Sequence, residues 1–279
     1  MPELPEVENT RRYLVESGLI GRTLTRADVG WARTIKRPSL EDFVLDIPGS
    51  TVNGLDRRGK YLLATLDIQS DIVSDHIPST LILHLGMTGG LRIHDKTQQV
   101  PNMTRHTFHL DDGRELRFID PRKFAKIWLV DDPKTVLPDF GPDPLADDFT
   151  AAALGMALSR RNVPIKGLLL DQDVVAGLGN LYVDESLYLA GIHPLKPALG
   201  LSIKEISGLY AGIVTALTSA LTEYDKSRRE QWPEPSFGLS TWTIPRTKDS
   251  PCPKCETPVS KLKVRGRTTY FCPGCQPST

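Results

Sequence analysis

KIWLVDDPKTVLPDFGPDP, residues 126–144, separates two kinds of periodicity and so decides the fold. After Lys126 its first residues, Ile127 to Val130, are apolar and β-rich. The remainder is dominated by Pro and Asp, the composition of a linker. Upstream, residues 1–135 read mostly as strands. The run 80–85 is β-rich, and residues 106–110 and 114–119 flank the turn Asp111-Asp112-Gly113. Phe108, Leu110, Leu116 and Phe118 alternate along that pair, the pattern of a hairpin with one apolar face. With 126–130 these strands predict a β-sandwich preceded by one helix. Downstream the period becomes helical, over 151–158, 181–190 and 202–224. The longest segment puts Ile203, Ile206, Leu209, Tyr210, Ile213, Val214, Leu217 and Leu221 on one stripe, and Ser202 and Glu205 have capping-box spacing at its start. A helical domain over 136–225 follows, and the class is α+β, multidomain.

The leading helix has two readings that coexist. Val7, Leu14 and Val15 lie on one face, Gly18 can end it, and Pro5 suits a first turn whose dipole Glu6 and Glu8 complement. The same residues, MPELPEVE, also carry a chemistry. A proline at position 2 permits removal of Met1, which leaves Pro2 with a free secondary amine. An α-amino group titrates near ~7.7–8.0, so part of it is unprotonated at neutral pH. Attack by such an amine on an aldehyde-like carbon gives an iminium ion, the covalent logic of a lysine Schiff base. Glu3 and Glu6 stand beside it as candidates for proton transfer.

Composition narrows the classes. At 279 residues the chain is long enough for about two domains, and 39% hydrophobic with 24% charged residues is globular. It has no run of eighteen apolar residues, and its acidic start is unlike a signal peptide, so a soluble cytoplasmic protein is expected. Zero formal net charge argues against a generic polyanion binder. The charge is uneven, however: residues 223–279 hold ten Lys/Arg against six Asp/Glu, a local footprint able to bind phosphates.

All four cysteines fall in that basic end, as Cys252-x2-Cys255 and Cys272-x2-Cys275 with sixteen residues between. This is zinc-ribbon spacing: two close pairs, each at a tight knuckle, brought together by a hairpin around one tetrahedral ion. Disulfides are disfavoured in a reducing cytoplasm. Four thiolates leave no open position, so the zinc is expected to be structural. Three further stretches can touch a polyanion. Arg57-Arg58-Gly59-Lys60 lies between apolar segments and would project Lys60 outward, or is an ordinary solvated loop. Gly177-Leu178-Gly179-Asn180 opens a helix, where backbone N–H groups and the Asn180 side chain can cradle a phosphate, or Asn180 caps the helix. Asp120-Pro121-Arg122-Lys123-Phe124 follows a strand with two cations and an aromatic able to wedge into a duplex.

Taken together, the chain resembles bacterial formamidopyrimidine-DNA glycosylases. The matches run in family order over nearly its whole length: MPELPEVE at the start, RRGKYLL around Lys60, HLGMTG at 84–89, DPRKF at 120–124, GPDPL at 141–145, KGLLLDQDVVAGLGNLYVDESLYLAGIHP at 166–194, and a terminal ribbon ending FCPGCQ. The resemblance implies a bifunctional base-excision repair enzyme. Its parts would be a catalytic N-terminal β-sandwich with a leading helix (1–135), a helix-two-turn-helix domain (136–225), a divergent loop or linker (226–250) and a zinc finger (251–279). It implies that Pro2 attacks the sugar C1′ of an oxidised purine nucleotide, with Glu3 as acid/base and Glu6 ordering the site. The resulting iminium leads to β- and then δ-elimination. Lys60, His84, Asn180 and Arg267 match phosphate-contacting positions. Met87, Arg122 and Phe124 match the side chains that fill the gap left by a flipped nucleotide, Arg122 facing the orphaned cytosine. Damaged double-stranded DNA is the implied partner, and a monomer at the bacterial nucleoid, without membrane contact, is expected.

Flipping costs a few kcal/mol, and wedges offset part of that cost. Phosphate contacts hold a kinked backbone without reading sequence, as suits an enzyme that finds damage anywhere. The chain also departs from the family. Residues 239–250 lack its usual tyrosine-glycine-arginine run. Residues 225–237, with Arg228, Arg229, Gln231, Trp232, Pro233 and Pro235, differ from the loop that covers an extruded 8-oxoguanine. Residues 67–79 look longer than usual. Two alternatives are an endonuclease VIII-like enzyme for oxidised pyrimidines and a non-catalytic zinc-ribbon damage binder. The PELPEVE and GPDPL segments favour the purine enzyme, and intact Pro2, Glu3 and Lys60 argue against the binder.

Overall fold

A computed structural model describes residues 1–68, 77–159, 161–230 and 242–278; the sequence features at 69–76 and 231–241, including Trp232, Pro233 and Pro235, lie outside the described residues. The chain divides into two compact units. One is built on Met1–Pro2 and Glu6–Leu137; the other holds Glu3–Pro5, Pro138–Lys226 and the C-terminal ribbon.

The first unit takes α1 (Leu4–Glu16) from Glu6 onward and continues through β1 (Thr23–Val29), β2 (Ile35–Arg37), α2 (Leu40–Asp46), β3 (Ser50–Arg58), β4 (Tyr61–Ile68), β5 (Ile77–His84), β6 (Gly90–Asp95), β7 (Thr104–Leu110), β8 (Arg114–Ile119) and β9 (Lys126–Val130). Among the described residues these strands are hydrogen-bonded in one order, β2-β9-β5-β4-β3-β1-β7-β8-β6. Yet β1 joins β3 only through Thr23↔Thr51 and Leu24↔Ser50, then pairs with β7 for the rest of its length. At that narrow seam the sheet folds over. Leu91 of β6 lines the same small internal cavity as Leu81 and Leu83 of β5, although those strands stand six places apart in the order. The result is a two-layered sandwich. Its core takes Val7 and Leu14 from α1, Phe43 from α2, and the alternating Phe108, Leu110, Leu116 and Phe118 of the β7–β8 hairpin. Val15, expected on the apolar face of α1, is 37% exposed instead, about 100° around the helix from buried Leu14.

The second unit contains α3 (Ala151–Leu158), α4 (Ile165–Leu169), α5 (Asn180–Ala190) and α6 (Ile203–Glu230), followed by the hairpin β10 (Ser260–Val264) and β11 (Arg267–Phe271). The capping box forms as the spacing requires: Ser202 Oγ accepts from the Glu205 N–H at 3.3 Å, and Glu205 accepts from the Ser202 N–H at 2.9 Å. Leu209, Ile213 and Leu217 are fully buried, whereas Ile203 is 86% exposed; the stripe starts one turn later than the sequence suggests, and the helix runs six residues past Tyr224. Helix α5 is central. Tyr182 through Tyr188 are all buried, acidic residues included, so this helix has no solvent face over two turns and its charges need protein partners. Among the described residues no helix is long and apolar enough to cross a membrane.

Candidate nucleic-acid interface and proton-transfer site

In the first unit Lys60 occupies the tight turn between β3 and β4, the strands pairing up to Arg58↔Tyr61. Its approach is stiffened from behind. Glu8 of α1 accepts from Arg11 (2.8 Å), Arg12 (3.0 Å) and Arg57 (3.2 Å), and Arg57 also donates to the Gly59 carbonyl at 3.1 Å. Burial alone would raise the Glu8 carboxyl, but the hydrogen bonds and charges of these arginines hold it below its usual range. The carboxylate is therefore committed to aligning the turn.

His84 ends β5, directly across from Tyr61 in the register and ring-to-ring with it at 4.9 Å. Burial, with the charges of Lys60 and Lys126, pushes its pKa down to about 4. The imidazole is neutral at pH 7. Because Nδ1 accepts the Gly86 N–H at 3.2 Å, the proton resides on Nε2, which is left as a donor. The structure thus brings Lys60 and His84 together through adjacent strands.

The wedge residues are gathered by one carboxylate that sequence reasoning did not single out. Buried Asp120 accepts from Thr88 Oγ1 (2.8 Å) and from the Ala125 N–H (2.8 Å), while Thr88 Oγ1 accepts from the Arg122 N–H (3.2 Å). These bonds staple the Leu85–Thr88 turn, carrying half-buried Met87, to the loop carrying Arg122 and Phe124. Phe124 is 50% exposed, with the Arg122 guanidinium 5.1 Å from its ring centroid. The loop thus presents an aromatic ring beside a cation, a pair able to stack on another flat surface.

In the second unit Glu3 is 1% exposed, and its carboxylate accepts the Leu181 N–H (3.0 Å) and the Tyr182 N–H (3.3 Å) at the start of α5. The Leu181 and Tyr182 N–H groups are thus engaged by Glu3 rather than left for a phosphate. Asn180 does not cap α5 either: the N-cap is Gly179, without a side-chain capping bond. The glycines make room for the N-terminal residues, since a Cβ on Gly179 would lie 2.3 Å from Glu3 Cδ, and one on Gly177 2.7 Å from Leu4 Cβ. The Asn180 side chain instead donates to the Thr268 carbonyl at 2.9 Å, with its Oδ1 buried and without a partner among the described residues. Glu6 is half-buried in the first turn of α1, and Pro2 is buried one peptide bond from Glu3.

The four cysteines converge at the base of β10–β11. Their Sγ atoms all lie within 4.8 Å of one another, at 3.7 Å for Cys252–Cys275 and 3.4 Å for Cys255–Cys272 and Cys255–Cys275, and none is in a disulfide. Zn–S bonds of about 2.3 Å place tetrahedral sulfurs about 3.8 Å apart, so the set fits one zinc ion with no vacant position. The hairpin docks on α5 through residues the sequence did not reveal. Lys166 and Asp184, both fully buried, pair at 2.6 Å; Asp184 also accepts from Arg246 (3.1 Å) and the Tyr270 N–H (3.2 Å), and Lys166 reaches the Thr268 carbonyl at 3.3 Å. Glu185 receives the N–H groups of Thr243 (2.9 Å) and Ile244 (3.3 Å). Eighteen residues separate Lys166 from Asp184, and no local pattern announces such a pair. The exposed Arg267 begins β11 opposite Val264.

Three family models match the chain: the formamidopyrimidine-DNA glycosylase N-terminal domain over residues 1–127, its H2TH domain over 140–231, and the zinc finger found in FPG and IleRS over 249–277. A formamidopyrimidine-DNA glycosylase of Synechococcus sp. is 39% identical over 99% of both chains, and one of Halalkalibacterium halodurans is 38% identical over 99% of this chain and all of its own. Among solved structures, the Lactococcus lactis Fpg (MutM) bound to DNA containing N7-benzyl-Fapy-dG superposes with a TM-score of 0.84 at 32% identity, over 99% of this chain and 100% of that one. The Thermus thermophilus MutM (Fpg) protein gives 0.80 at 32%, over the full length of both. With sandwich, helical domain and four-cysteine ribbon all matched end to end, the chain belongs to the formamidopyrimidine-DNA glycosylase family.

Proposed function

We propose that this protein is a bifunctional DNA glycosylase and AP lyase that removes oxidised purines from damaged double-stranded DNA, working as a monomer at the bacterial nucleoid. The observation that carries the reading is the Glu3 carboxylate, buried and held by two backbone N–H groups at the start of α5, one residue after a proline that becomes the chain terminus once Met1 is removed. A carboxylate so fixed is poised to move a proton for its neighbour.

In this reading the Pro2 nitrogen attacks C1′ of the damaged nucleotide. The glycosidic bond breaks, and its electron pair leaves with the base, which takes up a proton. The iminium that forms acidifies C2′; loss of that proton expels the 3′ phosphate, and a second elimination expels the 5′ phosphate. Glu3 serves as the acid/base and Glu6 helps order the site. Lys60, Asn180, Arg267 and the Nε2–H of neutral His84 hold backbone phosphates. Met87, Arg122 and Phe124 occupy the space of the extruded nucleotide, which offsets part of the unstacking cost. Bound at the four cysteines, zinc supplies only folding energy to the ribbon.

Borohydride trapping on a duplex with an abasic site tests the assignment. Mass spectrometry should find the sugar remnant on the N-terminal peptide, and an uncleaved N-terminal extension should abolish trapping. A remnant on Lys60 would overturn Pro2 as the nucleophile. A shifted duplex without any covalent adduct would reduce the protein to a binder.

A further inference from the structure

The zinc hairpin carries a second arginine at its turn. Arg265 adopts a left-handed φ of +46° beside Gly266 at +74°, the geometry of a two-residue hairpin turn. Its Nη1 donates to the Gly167 carbonyl at 2.8 Å and to Asp171 Oδ1 at 2.7 Å. Gly167 is the seat: a Cβ there would stand 3.1 Å from Arg265 Cδ, tighter than ordinary van der Waals contact. Asp171 is itself braced, its other oxygen accepting from Arg161 at 3.0 Å while Arg161 also reaches Asp173 at 2.8 Å. The turn is therefore fastened to the helical body on the β10 side as well as on the β11 side, where Lys166 and Asn180 meet the Thr268 carbonyl. Between the two attachments lies Arg267, exposed and without an ion pair among the described residues.

A two-stranded hairpin is marginal by itself. The zinc knuckles close only its far end, and five paired positions are all that join that end to the turn. We propose that Arg265 and Asp171 are positioning residues for Arg267: by pinning the turn to the α4 segment they hold that cation where it meets DNA, so the duplex need not order it on binding. This rests on the reading above that Arg267 contacts a backbone phosphate.

The test uses the full-length zinc-loaded protein and a duplex bearing a tetrahydrofuran abasic analogue, titrated by anisotropy across salt. Arg265→Ala and Asp171→Asn should each weaken binding about fivefold, the effect of one well-placed surface ion pair. Zinc should stay at one ion per chain, and hydrogen exchange should rise at 262–268 in both variants. Asp171→Asn separates the idea from its rival. If Arg265 were itself a phosphate contact, removing the acid that competes for it would leave binding unchanged or tighter, and that outcome overturns the proposal. Arg161→Ala controls for the brace and should cost less than either variant. In an Arg267→Ala background, Arg265→Ala should add nothing; additive losses would also overturn it. An Arg267→Ala protein that binds like wild type would sink the phosphate contact and the positioning role together, while unchanged exchange in Arg265→Ala would sink the tether alone.

Discussion

Gly179→Ala is the smallest change that should disable this site. Gly179 has φ −135° and ψ −165°, ordinary extended backbone, so alanine brings no conformational strain and the effect is purely steric. The new methyl carbon would sit 2.3 Å from Glu3 Cδ and 2.5 Å from its Oε1. Carbon–carbon contacts need about 3.5 Å, so the carboxylate must retreat by roughly 1 Å. That stretches the bonds from the Leu181 and Tyr182 N–H groups, now 3.0 and 3.3 Å, beyond useful length. Each is a hydrogen bond to a charged acceptor, worth about 1.5–3 kcal/mol, and partial rehydration brings the combined loss to about 3 kcal/mol. For a unit of this size that lowers Tm by roughly 10 °C. A misplacement of about 1 Å in a reacting group costs about a hundredfold in rate. Single-turnover excision of a formamidopyrimidine lesion at saturating enzyme, below the lowered Tm, should fall by about that factor, with zinc content unchanged. Shortening the acid removes the clash, so Glu3→Asp/Gly179→Ala should recover thermal stability relative to Gly179→Ala while excision stays slow. Excision by Gly179→Ala within about threefold of wild type would refute the role given to the Glu3 position.

Three further outcomes are expected. His106 is 2% exposed, packed against Phe118, with neither ring nitrogen bonded among the described residues, and burial lowers its pKa to about 4. Its folded value lies below the unfolded ~6.5, so its penalty is absent above that pH and grows as pH falls towards 4, by about 1.4 kcal/mol per unit; urea midpoints at pH 7 and 4.5 should therefore differ less in His106→Leu than in wild type, and an unaltered pH dependence would exclude His106 as the cause. Cys272→Ser should lose zinc and ribbon order together, with DNA affinity falling in parallel, as metal analysis and hydrogen exchange will read; a zinc-free ribbon with native protection would contradict this. Pro233, Pro235 and Trp232 stand in the segment where the sequence departs from the family pattern, so formamidopyrimidines and abasic sites should be processed well and 8-oxoguanine opposite cytosine poorly; single-turnover excision of 8-oxoguanine at least as fast as of formamidopyrimidine would show that the altered segment does not matter.

What the sequence determined by itself was local. The cysteine pairs, the Ser202–Glu205 capping box, the β7–β8 hairpin around Asp111-Asp112-Gly113 and the bounds of α3 are legible because the interacting groups stand within a few residues, where spacing alone dictates geometry. The apolar stripe of α6 is legible as a period, but not its first turn, where Ile203 stands exposed. Long-range polar pairing left no such trace. Gly177 to Asn180 reads as a phosphate cradle or an asparagine cap, yet the helix start is satisfied by Glu3, nearly 180 residues away in sequence. The Lys166–Asp184–Arg246 network, Asp120 between its two loops and Arg265 on Asp171 are likewise charged residues that look solvated until the fold buries or docks them. A buried charge must find a partner wherever the chain can deliver one, and which partner that is depends on packing in three dimensions rather than on spacing along the chain.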